Sequence, residues 1–286
     1  MTQGWWQPDP VQPGEPWATP SEHTDDGPAV RESPPPIAIC LLGAFRIRAR
    51  SGWLPLKPGG KSEQFLGALA LGAPYGVARD ELLGLVWPAA PEDLATQSLN
   101  TLVHDTNRRL ALALDGASAV LRRDGRYQLN TGAGVVVDVH AFDAAAEAGD
   151  RFGREGDGVG AILSYDRAVA LYAGDLVMAG DVRQVLERER LRARYLSVRS
   201  RLADHHFAAR TYASALLEAL ALLAADPCRE DAHRMAMRCR VRLGERAQAL
   251  RQYRVCSEVL RLEFDVEPEG ATRDLYEAIR LDPDSI

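Results

Sequence analysis

The stretch QSLNTLVHDTNR, residues 97–108, is the segment that decides the fold of this chain. At about 100° per residue, apolar side chains fall on one side of a helix and polar side chains on the other. The mostly apolar side comprises Leu99, Leu102, Val103, Thr106 and Leu110. The polar side comprises Gln97, Asn100, Thr101, His104 and Arg108. We therefore predict a helix with one buried face and one outward face.

The outward face of this helix is dominated by hydrogen-bonding side chains rather than by Glu or Lys. Asn, Gln, Arg, Thr and His suit the reading of base edges in the DNA major groove, where donors and acceptors identify each base pair. An ordinary amphipathic helix with a solvated outer face would show the same pattern. The helix alone does not separate these two interpretations.

The segments before this helix supply strands and two shorter helices. Residues 37–56 hold an alternating apolar run and a Ser-Gly turn, which is typical of a hairpin or a three-stranded sheet. Apolar spacing predicts helices over residues 61–71 and 80–87. A loop over residues 89–93 then leads into the third helix, which we expect to reach about Leu114.

A basic hairpin follows the third helix. Apolar runs at residues 119–121 and 127–129 flank an Asp124-Gly125 dipeptide, which favours a two-residue hairpin turn. The turn is surrounded by Arg122, Arg123 and Arg126. Such a tip can grip DNA phosphates, although a merely solvated tip looks the same. With one more strand predicted over residues 135–139, the order matches a winged helix-turn-helix.

The chain outside this region divides into a tail and a helical domain. Residues 1–36 are acidic and rich in Pro and Gly, so we expect a disordered tail, with Trp5, Trp6 and Trp17 as incidental residues or a docking motif. Residues 37–140 form the predicted winged domain. Residues 141–286 show only helical patterns.

An internal repeat appears in the helical domain. Ala213, Ala215 and Leu216 recur 34 residues later as Ala247, Ala249 and Leu250. A period of about 34 residues is that of tetratricopeptide helix pairs. We expect the leucines of the first copy to form buried stripes rather than a ligand pocket: Leu216, Leu217, Leu220, Leu222 and Leu223.

Composition and charge limit the class of protein. The chain has 286 residues, of which 46% are hydrophobic and 26% charged, and its net charge is −6. Only residues 37–140 are positive, with eleven Lys and Arg against nine Asp and Glu. No run approaches the roughly 20 apolar residues of a membrane span, and the N-terminus resembles no signal peptide. We expect a cytoplasmic protein, associated with the nucleoid and with no membrane partner.

Enzyme interpretations find little support. Gly59-Gly60-Lys61-Ser62 resembles part of a phosphate-binding loop, but Pro55 stands where that motif requires its first glycine. Lys61 at a helix start more plausibly meets a DNA phosphate. Four scattered cysteines and six histidines form no zinc motif. We therefore predict no catalytic residue, no metal and no cofactor.

A known family shares the most distinctive motifs. They are LLGAFRIR (41–48), DELLGLVWP (80–88), SLNTLVHDTNRRL (98–110), DGRYQL (124–129), VDVHAFD (137–143), ALYAGDL (170–176), LERERLRARYL (186–196), AADPCREDAHRMAMR (224–238), ALRQYRVCSEVL (249–260) and VEPEGATRDLYEAI (266–279). On these motifs residues 37–280 resemble the Streptomyces antibiotic regulatory proteins. That resemblance implies an OmpR-like winged helix joined to a bacterial transcriptional activator domain. It also implies a regulator that binds direct repeats near promoters and recruits RNA polymerase.

The sequence departs from that family within the third helix and the hairpin. Thr106-Asn107-Arg108 replaces a Leu-Arg-Arg run, and Arg126 stands where a glycine is usual. Asp105 brings a negative charge to the DNA side. It could accept from a cytosine amino group, cap a nearby arginine, or mark a domain that has lost DNA binding.

We therefore predict a mainly α protein with a small β component, in which a winged helix-turn-helix precedes an all-α tetratricopeptide-like domain. The expected base-reading residues are Gln97, Asn100, Thr101, His104 and Arg108. The expected phosphate contacts are Lys61, Arg109, Arg122, Arg123 and Arg126. The expected partners are double-stranded DNA, the RNA polymerase holoenzyme and a second copy of the chain on DNA. The alternative is a non-catalytic interaction scaffold with weakened or lost DNA binding.

Overall fold

The structure, a computed structural model, describes residues 35–177, 182–283 and 286. These residues divide into two compact units. The first comprises the described residues up to Ala141 together with Ala170–Arg188, and the second comprises Phe142–Val169 and the described residues from Glu189. Residues 1–34, with the three tryptophans of the expected tail, lie outside the described residues. The domain boundaries at residues 36 and 140 therefore stay a prediction.

The strands all lie in the first unit of the described chain. They are β1 (Ile37–Cys40), β2 (Arg46–Ala49), β3 (Gly52–Leu54), β4 (Val77–Ala78), β5 (Val120–Arg123), β6 (Arg126–Leu129) and β7 (Val135–Val137). One sheet has the order β3-β2-β1-β7 and the other has the order β4-β6-β5.

The first sheet confirms the strands predicted over residues 37–56 and adds a fourth. Ile39 lies opposite Ile47 in the antiparallel β1–β2 pair. β7 joins β1 in parallel, with Ile37 paired to Val135. A parallel neighbour needs a long connection, and here the three helices and the hairpin provide it. Local sequence pattern gives no sign of such a distant pairing.

The helices of the described chain follow in order. They are α1 (Lys61–Leu71), α2 (Arg79–Val86), α3 (Glu92–Leu110), α4 (Asp138–Glu155), α5 (Gly158–Leu171), α6 (Val182–Ala208), α7 (Tyr212–Ala225), α8 (Glu230–Arg242), α9 (Arg246–Phe264) and α10 (Gly270–Leu281). No described helix is both long and apolar enough to cross a bilayer. The same part of the chain contains no cluster of three or more His, Cys, Asp or Glu that could hold a metal ion.

The first three helices form the core of the winged domain. Phe65 of α1, Leu82 of α2 and Leu99 of α3 are completely buried, as the helical spacing predicted. The predicted end of the third helix is wrong in detail, since α3 stops at Leu110 and a 3-10 turn covers Ala111–Leu114. The chain then leaves the helical region because Asp115 adopts a left-handed conformation, with φ of 52°.

The second sheet is the predicted hairpin with one added strand. β5 and β6 pair on either side of Asp124 and Gly125, whose φ angles of 50° and 75° match a type I′ turn. The two-residue strand β4 pairs with β6 through Val77 and Tyr127. β4 was not predicted, because two residues are too short to show an alternating pattern.

The last strand of the first unit ends two residues earlier than predicted. Asp138 begins α4, so the strand covers Val135–Val137 instead of residues 135–139. The buried Asp138 carboxylate accepts hydrogen bonds from the backbone N–H groups of Leu41, Leu42 and Val139, at 2.8–2.9 Å. These bonds fix the turn from strand to helix at Asp138.

In the second unit, α7 packs on α8, and α8 packs on α9. The 34-residue repeat falls on equivalent positions of α7 and α9. Ala215 and Ala249 are both completely buried, whereas Ala213 and Ala247 are both exposed. Small side chains at the buried positions permit close helix packing, as in tetratricopeptide stacks.

The buried stripe predicted for α7 is wrong for two leucines. Leu217 and Leu220 are 68% and 37% exposed. The residues of α7 that are buried are Ala215, Ala219 and Leu222. Helix α7 is so rich in Leu and Ala that nearly every position is apolar. Its sequence therefore does not show which side of the helix is buried.

Candidate nucleic-acid interface

The outward face of α3 is the centre of the candidate interface. All five predicted base-reading residues are exposed: Gln97, Asn100, Thr101, His104 and Arg108. Leu99, Thr106 and Leu110 on the opposite side are buried at 6% exposure or less. The predicted orientation of the helix is therefore observed. The role of its outward face in reading bases stays a prediction.

Two side chains of this face already have partners within α3. The Thr101 hydroxyl donates to the carbonyl of Gln97 at 2.9 Å. The Arg108 guanidinium donates to the Asp105 carboxylate at 3.0 Å; the Arg108 side chain is largely exposed and the Asp105 side chain is about half exposed. Of the three interpretations of Asp105, the contact with a nearby arginine is the one observed. This pair reduces the positive charge of the helix at its C-terminal end.

The hairpin of β5 and β6, which we call the wing, presents three exposed arginines, two of them on β5. Arg122 and Arg123 are both exposed on β5. The Arg122 guanidinium carbon lies 5.7 Å from the centre of the Tyr127 ring, within reach of a cation–π contact. Tyr127 is buried at 3% exposure, so this contact holds the Arg122 side chain against a fixed aromatic ring.

Arg126 differs from the other two arginines of the wing. Its Nε donates to the carbonyls of Tyr75 and Gly76, and its Nη2 donates to Gly76 at 2.8 Å. The side chain thus ties the wing to the turn before β4. Its Nη1 is the nitrogen that remains for another acceptor.

Asn107 joins α3 to the wing, a role that the sequence did not reveal. Its Oδ1 accepts from the backbone N–H of Val120 at 2.8 Å, and its Nδ2 donates to the Val120 carbonyl at 3.1 Å. An amide side chain can satisfy one backbone residue in both directions. Asn107, which belongs to the segment that replaces the family's Leu-Arg-Arg run, therefore fixes the start of β5 against α3.

Arg79, at the first residue of α2, was also missed. Its guanidinium donates to Glu92 at 3.2 Å and to the Thr96 hydroxyl, both in the first turns of α3. The hydrogen bond to Glu92 raises the pKa of Arg79 above its ordinary value. This network links the two helices of the helix-turn-helix. No periodic signal marks it, since the partners lie 13 and 17 residues apart.

The two remaining predicted phosphate contacts lie on α1 and at the end of α3. Lys61 is exposed, and its Nζ lies 4.8 Å from the centre of the Trp87 ring. Arg109 is exposed as well. In the glycine turn before Lys61, the Gly59 N–H donates to the Glu63 carboxylate at 2.7 Å. The Gly59 N–H, which a phosphate-binding loop would offer to its ligand, is therefore already bonded to a carboxylate.

The fold and its exposed helix define the class: a winged helix-turn-helix protein with a tetratricopeptide-like second unit. The family described as "Bacterial transcriptional activator domain" matches residues 137–280. "Regulatory protein DnrI" of Streptomyces peucetius is 30% identical over 233 residues, which cover 78% of this chain and 85% of that protein. "Regulatory protein AfsR" of Streptomyces griseus is 26% identical over 265 residues, covering 89% of this chain and 27% of AfsR.

A solved structure shares the architecture. Mycobacterium tuberculosis EmbR, in complex with a low-affinity phosphopeptide, has a TM-score of 0.66 and 19% identity, over 88% of this chain and 68% of EmbR. At this identity the similarity shows the fold alone. The chain belongs to the Streptomyces antibiotic regulatory protein family. It is a transcriptional regulator, which confirms the resemblance found in its sequence.

Proposed function

We propose that this regulator is a sequence-specific DNA-binding activator. It binds direct repeats near promoters, pairs with a second copy there, and recruits the RNA polymerase holoenzyme, with secondary-metabolite genes as targets. The protein works in the cytoplasm, on the nucleoid. One observation carries the proposal: five hydrogen-bonding side chains of α3 are exposed together on one face, in a unit that also carries a basic wing.

In this proposal the outward face of α3 contacts the base edges. Asn100 and Gln97 carry an amide that can bond adenine through two atoms, and Arg108 can do the same with guanine. His104 and Thr101 add a donor or acceptor each. The Asp105 carboxylate, bonded to the Arg108 guanidinium, orients that side chain. Ordered side chains lose less entropy on binding, so this pair favours a defined contact.

Phosphate contacts set the register of the protein on the duplex. Arg122 and Arg123 supply two exposed charges of the wing, and Arg126, which is exposed but bonded to the Gly76 carbonyl, adds its remaining Nη1. Lys61 and Arg109 hold the backbone from α1 and the end of α3. Phosphate contacts of this kind supply affinity without sequence preference and make binding depend on salt.

The wing is tested by a double substitution. Arg122→Ala with Arg123→Ala should weaken binding to every duplex and reduce the slope of log affinity against log salt by about two phosphates' worth. Arg251→Ala with Arg254→Ala removes the same charge from exposed positions of α9 and should leave the slope unchanged. Gel-shift titrations over a salt series with an upstream promoter fragment measure both. Equal slopes in the two double variants would refute the wing assignment.

The alternative function, a scaffold without DNA binding, draws on the Asp105–Arg108 ion pair. That pair reduces the charge available to DNA on a domain whose net charge is only +2 over residues 37–140. The same titration separates the two functions. A scaffold would show no affinity for the promoter fragment above its affinity for unrelated duplex DNA.

A further inference from the structure

A cavity of about 390 Å³ lies along the flank of α3 that carries Leu102, Thr106 and Arg109, within the first unit. β2, β3 and the segment after it, α1 and α3 all contribute to its wall. Its apolar lining includes Ile47, Leu54, Leu56, Leu66, Leu102 and Leu110. This volume falls in the range of small-molecule sites, which are typically apolar with a few placed polar groups.

The polar groups of this cavity favour an anion. Two arginines and one carboxylate, Asp105, line it; Arg108 is bonded to Asp105, whereas Arg109, among the described residues, has no carboxylate partner. Ser62 adds a hydroxyl from the first turn of α1. The Glu63 carboxylate already accepts from the Gly59 N–H at the start of α1, so the charge that would attract an anion is that of Arg109.

We propose that this cavity binds a small amphipathic anion, with an aromatic or alicyclic body and one acidic group. The body would fill the space between Leu66 and Leu102. The acidic group, a carboxylate, sulfonate or phosphate, would bond to Arg109. Charge complementarity selects this occupant over a neutral apolar molecule, because an unpaired guanidinium beside an apolar wall gains a partner when the anion binds.

The site also gives a route to regulation, and this step rests on the proposed function. Arg109 is one of the proposed phosphate contacts, and the cavity shares the helix α3 with the base-reading face. A bound anion would engage Arg109 and hold α3 against α1. We expect occupancy to weaken duplex binding.

The anion end is tested with two fluorescent probes on the full chain. The first is 8-anilinonaphthalene-1-sulfonate, and the second is 1-anilinonaphthalene, which lacks the sulfonate. Arg109→Gln should reduce affinity for the first probe about tenfold, by loss of a charge-assisted hydrogen bond, and leave the second unchanged. Arg50→Gln, at a side chain 58% exposed, is the matched control. Equal affinities of the wild type and the Arg109→Gln variant for the sulfonate would overturn the assignment.

The apolar end is tested by filling the cavity. Leu102→Trp should abolish saturable binding of both probes, whereas Leu94→Trp, at a position of α3 that is 57% exposed, should not. If Leu102→Trp fails to fold, as shown by the loss of cooperative unfolding, Leu54→Trp replaces it as the variant that fills the cavity, from the side of the sheet. Binding that survives in a folded filled variant would mean that the probe sits elsewhere and would refute the site.

Regulation is measured separately from binding. The sulfonate probe should lower duplex affinity of the wild type, and should have no effect on the duplex affinity of the filled variant. Saturable probe binding with no effect on DNA affinity would overturn the regulatory step alone. A wild type that binds the probe but no duplex would refute the proposed function and leave the ligand site standing.

Discussion

Asp138 shows how much of the fold depends on a single residue. It is 3% exposed and accepts hydrogen bonds from three backbone N–H groups, two of them almost a hundred positions earlier in the chain. Burial raises the pKa of Asp138 to about 6, although the backbone donors act in the opposite direction. The carboxylate ends β7, begins α4 and holds the segment after β1.

Replacing this acceptor should cost stability. Asp138→Ala leaves the N–H groups of Leu41, Leu42 and Val139 without their acceptor, and we expect a loss of about 2–4 kcal/mol in the free energy of unfolding. Urea denaturation measures the change. Asp93→Ala, at an exposed position of α3, should leave the urea midpoint nearly unchanged. Similar midpoints for the two variants would contradict the role given to Asp138.

His233 gives the second unit a pH dependence. It is 2% exposed, its Nε2 lies 2.9 Å from the Pro227 carbonyl, and its Nδ1 lies 2.8 Å from the Gln252 amide nitrogen. Nε2 must donate to the carbonyl, so Nδ1 accepts and the ring is neutral. Burial lowers the pKa of His233. Protonation would place a second donor against the Gln252 amide group.

Because of His233, the free energy of unfolding should therefore decrease as the pH is lowered. As pH drops below the usual histidine pKa of about 6.5, the unfolded chain gains a proton that the folded chain does not, at up to about 1.4 kcal/mol per pH unit. Asp138 acts in the opposite sense, since its raised pKa favours the folded state as pH falls towards 4. His233→Gln removes only the histidine contribution. Urea titrations at several pH values should show a smaller loss in this variant, and an unchanged profile would be inconsistent with a buried neutral ring.

At the scale of elements, periodic segments were predictable and isolated contacts were not. Helical spacing and the Asp-Gly turn were enough to predict α1, α2, α3 and the wing within a few residues. The same rotation predicted which side of α3 faces outward. By contrast, Asn107 and Arg126 bond to backbone groups that are brought near only by folding, 13 and about 50 positions away. Their side chains show no pattern along the sequence.

The helix repeat makes a sharp prediction about packing. Ala215→Leu inserts a larger side chain at a completely buried position of α7 and should cost about 1–3 kcal/mol. Ala213→Leu, two residues earlier on the exposed side, should cost little. Thermal unfolding compares them, and the pair Ala249→Leu and Ala247→Leu should repeat the contrast in α9. Equal costs within either pair would mean that the 34-residue repeat does not set the packing.

At the scale of the whole molecule, function depends on where charges lie rather than on their sum. The chain carries −6 overall, which taken alone argues against a nucleic-acid partner. Yet the wing exposes Arg122 and Arg123, and α3 exposes an uncharged hydrogen-bonding surface beside Arg108. Steering and phosphate contact depend on local patches. The acidic total is therefore compatible with the DNA binding that we propose for this chain.

The most direct test is equilibrium binding of the full chain to two duplexes: its best genomic site, found by mapping bound fragments, and a scrambled duplex of equal composition. The wild type should prefer the genomic site by about a thousandfold or more. Asn100→Ala should lose about tenfold to a hundredfold at that site, change the preference at one base pair, and leave scrambled binding unchanged. Leu112→Ala, 91% exposed just beyond α3, is the control. Equal wild-type affinity for both duplexes, or equal weakening of both by Asn100→Ala, would contradict base reading by α3.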